Sequence, residues 1–225
     1  MPVLADSASL LAYDVRRSSR ARRVRVSVDR AGRVEVVLPQ ALELGAAEQA
    51  VRDLRTWIER QQRNASRQRA AVLDRGGTLP YLGASLTLVP GAGHTRVSRR
   101  GATLLVPEGP QQAAAIERWY RHMARSEIGE RLDRACASSG LRYTRLAIRD
   151  QRTRWGSCST GGVLSFNWRL LLAPPEVLDY VVWHEVCHLA VHDHSPRFWA
   201  LVARYCPDHR THAAWLRHNA GTLVL

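Results

Sequence analysis

The chain contains no lysine. All 33 of its basic side chains are arginine, against 20 acidic ones, giving a formal charge of +13 and a pI near 10.9. The missing lysine reflects codon usage, but the excess of arginine over acid would survive any exchange of one cation for the other. Such a surface attracts polyanions. Nucleic acid or another polyanion is therefore an expected partner, above all for RRSSRARRVRV at 16–26, which holds six arginines and no acid. Cysteine is scarce as well. Cys136, Cys158, Cys187 and Cys206 form no C-x-x-C pair, which excludes a disulfide scaffold and fits a reducing compartment. Long apolar runs are missing: LLLA at 170–173 is far short of the ~20 residues a membrane span needs. The first residues, MPVLADSASLLAYDV, lack the basic start and apolar run of a signal peptide. A soluble, cytoplasmic protein with no membrane partner is expected.

What is present is a globular composition, 45% hydrophobic and 24% charged over 225 residues, enough for one large domain or two small ones. Residues 21–38 alternate around an Ala-Gly turn, with Val24, Val26 and Val28 against Arg23, Arg25 and Ser27, and Val34 and Val36 against Arg33 and Glu35. That pattern predicts a β-hairpin with one buried face. After Pro39 a helix is predicted over about 41–70, with Leu42, Ala46, Ala50, Leu54 and Ile58 on one side. Short strands follow in LPYLG, ASLTLVP and TLLVP. PEGPQQ at 107–112 breaks the pattern and marks a boundary between a β-rich basic part with one helix (1–110) and a second domain (111–225). A long helix is predicted over 112–138, then strands in RYTRLAIRD and GGVLSFNWRLLL with the turn TRWGSCST between them. APPEVLDYVVWHEVCHLA opens with prolines suited to a helix start and predicts a helix to about 190. Ser195-Pro196 starts another, and a last helix closes the chain. The fold class is α+β.

Residues 183–199, WHEVCHLAVHDHSPRFW, carry four of the nine histidines. His184 and His188 are four apart on a predicted helix, so their rings share one face a single turn apart. One tetrahedral zinc at ~2.1 Å from each nitrogen fits that geometry, and Glu185 is placed to act as base toward a water on the metal. The helix is apolar almost all round, hence buried. Two imidazoles and a carboxylate there are costly unless something satisfies them. A bound cation does so; a hydrogen-bonded core cluster is the alternative. Absences narrow the subclass. No glutamate follows Glu185, which excludes a downstream Glu ligand of the thermolysin type. No methionine follows Met123 and residue 191 is valine, which excludes the metzincin pattern with its Met-turn.

TRWGSCS (153–159), NWRLLLAPPEVLDYVVWHEVCHL (167–189) and HSPRFWALV (194–202) closely resemble the YgjP-like metal-dependent hydrolases, zinc metallopeptidases distantly similar to SprT-like and WLM-type proteases. The likeness extends to the arginine-rich hairpin and to YLG at 81–83. It implies a zincin-like C-terminal metallopeptidase domain with an active-site helix. It also implies one zinc per chain held by His184, His188 and His194, with Glu185 as catalytic base. Helix geometry agrees in leaving out His192. Eight residues beyond His184, it would lie about 12 Å along the axis if the helix continued, so the chain must turn back near Asp193. Arg154 and Trp155, in the loop before NWRL, are substrate candidates: the guanidinium could stabilise an oxyanion or hold an anionic group, or simply pin the turn. Asn167 could present a strand edge to an extended peptide or merely flank a turn. His192, His209, His212 and His218 are expected at the surface or behind the ligands.

Peptide hydrolysis of a peptide or protein substrate is the expected activity, since one zinc with one glutamate is usual equipment for it. Two rivals stand beside it. One, which the same resemblance also implies, is a nucleoside triphosphate (UTP-type) pyrophosphohydrolase, for which Glu127, Glu130 and Asp133 are the candidate Mg²⁺ carboxylates. The other is a nucleic-acid-associated protease or binding module.

Overall fold

The computed structural model describes residues 3–5, 11–29, 32–73, 76–151 and 153–225. The chain divides into two compact units, 1–74 and 75–225, each with its own core.

In the first unit, β1 (Val3–Ala5), β2 (Ala12–Ser18), β3 (Arg25–Val28) and β4 (Val34–Pro39) form a sheet in the order β1-β2-β4-β3. The expected hairpin is β3–β4, with Val26 opposite Val36 and Val28 opposite Val34; residues 30 and 31 of its turn lie outside the described residues. The single helix expected over 41–70 is two, α1 (Leu44–Asp53) and α2 (Arg55–Leu73), interrupted at Leu54. Their buried stripe is Ala47, Val51, Ile58 and Ala65, while Leu42 and Leu54, expected inside, stay 40% exposed. The steps of four and seven residues keep that stripe on one helix face, and Ala47 and Val51 are small enough for α1 to lie close on Val34, Val36 and Leu38.

The second unit opens with β5 (Thr78–Tyr81), β6 (Ala84–Pro90), β7 (Ser98–Arg100) and β8 (Thr103–Val106), ordered β5-β6-β8-β7. LPYLG, ASLTLVP and TLLVP supply β5, β6 and β8 as expected; β7 is an additional strand that the apolar pattern does not announce. Leu82 and Gly83 join β5 to β6 with φ of 48° and 80°, both in the left-handed region that a two-residue hairpin turn requires. Leu82 N–H donates to Leu171 O at 2.8 Å, which ties this hairpin to the centre of the unit.

Next comes α3 (Gln112–Ser139), burying Ile116, Tyr120, Ala124, Ile128 and Leu132 at helical spacing. A second sheet holds β9 (Arg145–Arg149), β10 (Gly156–Cys158) and β11 (Val163–Asn167) in the order β10-β11-β9, with β11 parallel to β9 and antiparallel to β10. Two segments differ from expectation. TRWGSCST contains the strand β10 as well as a turn, and the WRLLL that follows β11 is a 3-10 turn (Trp168–Leu172) rather than more strand. Helices α4 (Pro175–Cys187), α5 (Pro196–Tyr205) and α6 (His209–Asn219) complete the unit.

The compact units part at 74–75 rather than near 110. PEGPQQ is the link from β8 to α3, because Leu79, Tyr81, Leu86, Leu104 and Val106 share one core with Ile116, Tyr120 and Trp168. Arg131 of α3 pins the assembly: it donates to Glu127 Oε2 at 2.6 Å and to Asp179 Oδ1 of α4 at 2.9 Å, while Tyr81 OH donates to Glu127 Oε1 at 3.1 Å. No described helix is long and apolar enough to cross a membrane.

Candidate metal centre

Pro175 at the first position of α4 starts the helix without wasting an N–H. It runs regularly to Cys187 and then tightens: Leu189 N–H donates to Val186 O, and Ala190 and Val191 N–H to Cys187 O. Beyond it Asp193 Oδ1 accepts from Ser195 N–H at 3.1 Å, a side-chain turn that reverses the chain into α5. The reversal brings His194 back over α4. His184 Nε2 lies 3.2 Å from His188 Nε2 and 3.2 Å from His194 Nε2. His192 is exposed and outside this group.

Three ring nitrogens so close fit a cation. A proton can bridge only one pair of them, whereas nitrogens bound to one tetrahedral zinc lie about 3.4 Å apart, given ~2.1 Å bonds. The tautomer agrees: His188 Nδ1 donates to Val191 O at 3.0 Å, leaving Nε2 free to bind metal. Burial, then the neighbouring rings of His188 and His194, hold His184 down at about 3. Burial also lowers His188, against the opposing pull of its bond to Val191 O. Neutral imidazoles are what a metal needs. Among the described residues, these three histidines are the one group placed to share an ion.

Glu185 is 5% exposed, and burial lifts its carboxyl to about 8, opposed by the Arg154 guanidinium. Arg154 is exposed on the loop before β10, and Trp155 is half-buried, its carbonyl accepting from Asn167 N–H at 2.8 Å. Of the two roles expected for Asn167, it takes the turn-flanking one rather than the substrate contact. It is fully buried, its Nδ2 donates to Gln151 O at 2.8 Å, and its Oδ1 accepts from Arg169 N–H at the head of the 3-10 turn. Its strand is also the central one of three, so it offers no free edge. The carboxylates of α3 do not converge either. Glu127 is held by Arg131 and Tyr81, Glu130 accepts from Ser126, and Asp133 accepts from Tyr143. His209, expected at the surface or behind the ligands, is 8% exposed with its ring stacked on Trp199.

Gly156 belongs to the site although sequence reasoning passes over it. A Cβ there would lie 2.5 Å from Glu185 Oε1 and 2.7 Å from its Cγ. Its φ is not in the left-handed region, so the glycine is required for space rather than for backbone conformation. Gly156→Ala is therefore expected to displace the Glu185 carboxylate and, if Glu185 takes part in hydrolysis, to lower activity about 100-fold, the scale that a misplacement of an ångström can cost. Activity within twofold of wild type would show that Glu185 need not be held there.

The three histidines form a site that could hold a metal ion. The family model described as "YgjP-like, metallopeptidase domain" matches residues 22–219, and the chain belongs to that family. Among solved structures, the metallopeptidase zymogen abylysin of Pyrococcus abyssi is similar at 21% identity over 40% of this chain and 92% of that one, with a TM-score of 0.37. The zymogen jannalysin of Methanocaldococcus jannaschii is similar at 16% identity over 39% and 94%, with a TM-score of 0.34. No curated protein matches the chain.

Proposed function

We propose that this hydrolase is a zinc peptidase in which His184, His188 and His194 hold one zinc ion and Glu185 is the general base. The convergence of three Nε2 atoms beside a buried carboxylate carries the reading. Zinc held there would supply a Lewis acid, polarising the scissile carbonyl and acidifying water. Glu185 takes a proton from the attacking water and gives it to the departing amine nitrogen, so that water adds across the C–N bond. Arg154, whose charge acts on Glu185, would meet negative charge developing on the substrate. β10 is an edge strand and offers its unpaired side to an extended peptide backbone.

Zinc-loaded protein incubated with an unfolded protein is expected to release peptides and with nucleoside triphosphates to release nothing. Phosphate or pyrophosphate release without peptides would overturn the peptidase reading. We also propose the reducing cytoplasm as its location, supported by four free thiols.

For the first unit we propose a nucleic-acid partner. Arg16 is held by Glu35 at 3.3 Å and Arg17 by the carbonyls of Gln40 and Leu42. Arg20, Arg22, Arg23 and Arg25, in contrast, are exposed with no acidic partner among the described residues. Replacing those four by glutamine is expected to flatten the salt dependence of DNA binding, by about 0.9 in the log–log slope for each phosphate no longer neutralised. An unchanged slope, measured by fluorescence anisotropy, would count against the assignment.

A further inference from the structure

The cluster has an aromatic neighbour that the hydrolytic reading does not use. Trp199 of α5 is 36% exposed, the most solvent-accessible aromatic ring beside the histidines. Its centroid lies 5.7 Å from the rings of both His184 and His194. The indole therefore borders the group rather than facing remote solvent. It is also braced. His209 stacks on it at 5.7 Å and 21° between planes, and Phe198 meets it nearly edge-on at 5.1 Å. His209 is in turn anchored through Nδ1 to Cys206 O at 3.2 Å. A braced ring loses little freedom when something lands on it, so contact there converts into affinity with little ordering cost.

We infer that Trp199, supported by His209, forms a binding subsite for an apolar or aromatic side chain of the substrate, next to the metal-binding histidines. This rests on the peptidase reading and names the side-chain class it selects. The indole is large, apolar, uncharged and partly exposed, which suits Phe, Tyr, Leu or Met and gives nothing to Asp or Gly. A ring serving only to brace His184 and His194 would act on every ligand alike, whereas a subsite acts on side chains selectively.

The test is calorimetric binding of two peptide hydroxamates, identical except for Phe or Gly beside the hydroxamate, to zinc-loaded wild type, Trp199→Ala and Trp199→Phe. Zinc content is measured in each. Wild type is expected to bind the Phe compound about tenfold more tightly, the scale of one aromatic contact. Trp199→Ala is expected to shrink that ratio to about twofold or less with zinc retained, and Trp199→Phe to keep part of it. An unchanged ratio in zinc-retaining Trp199→Ala overturns the subsite, and so does loss of zinc from Trp199→Ala, which is the bracing role. Failure of the Phe compound to bind wild type overturns it too. Selective binding without cleavage of any peptide would leave the subsite standing and remove the peptidase reading instead.

Discussion

His194→Ala is expected to weaken zinc binding by more than about 100-fold, beyond the usual cost of losing a mere supporting hydrogen bond to a ligand, while His192→Ala stays within about twofold of wild type. The two histidines flank Asp193, yet only one returns to the cluster, because the Asp193–Ser195 turn redirects the chain between them. Losing one nitrogen of three leaves His184 and His188 as a pair a helix turn apart, without a third protein ligand. Stability should follow the metal. An ion that binds only the folded state stabilises it by RT ln(1 + [L]/Kd), about 4 kcal/mol at a thousandfold excess over Kd. For a protein of this size that corresponds to a fall in Tm on the order of 10 °C on chelation. His194→Ala, already without tight zinc, should show little further change with chelator. Equal zinc affinity in the two alanine variants, measured by competition with a chromophoric chelator, would remove His194 from the ligand set.

The difference between those two histidines is partly legible in the sequence, for local reasons. Helix rise alone rules His192 out of a group with His184, and Ser195-Pro196 announces a new helix start. The prolines at 174 and 175 likewise mark the start of α4. Other features depend on pairing between distant segments, and local patterns miss them. β10 is only Gly156-Ser157-Cys158, too short to alternate and poor in strand-forming residues; it is a strand because β11 pairs with it. Once β11 is seen to lie between β10 and β9, Asn167 loses any free edge. The importance of Gly156 depends on a carboxylate one sheet-to-helix contact away, a steric relation that no spacing rule encodes. The helix of the first unit shows the same limit. The periodicity of Leu42, Ala46, Ala50 and Leu54 is helical, but Ala47 and Val51 form the face that the sheet accepts.

Glu185→Gln is expected to keep zinc and fold while lowering hydrolysis by about 10²- to 10⁴-fold, the range attributed to a positioned general base. The substitution is nearly isosteric, so the close packing against Gly156 can be retained. Burial already pushes the Glu185 carboxyl toward its neutral form, which the neutral amide resembles, so the fold should tolerate the exchange. What changes is protonic: an amide oxygen is too weak a base to take a proton from water at neutral pH, and the amide has none to return to the amine nitrogen. The variant should therefore bind peptides like wild type but fail to turn them over, a loss in kcat with KM little altered. Glu127→Ala makes the opposing arm. Glu127 is engaged by Arg131 and Tyr81, so its removal should cost stability and leave peptide turnover by the folded fraction in place. Peptide cleavage by Glu185→Gln at the wild-type rate would mean that another group accepts the proton, and the assignment of Glu185 as base would fall.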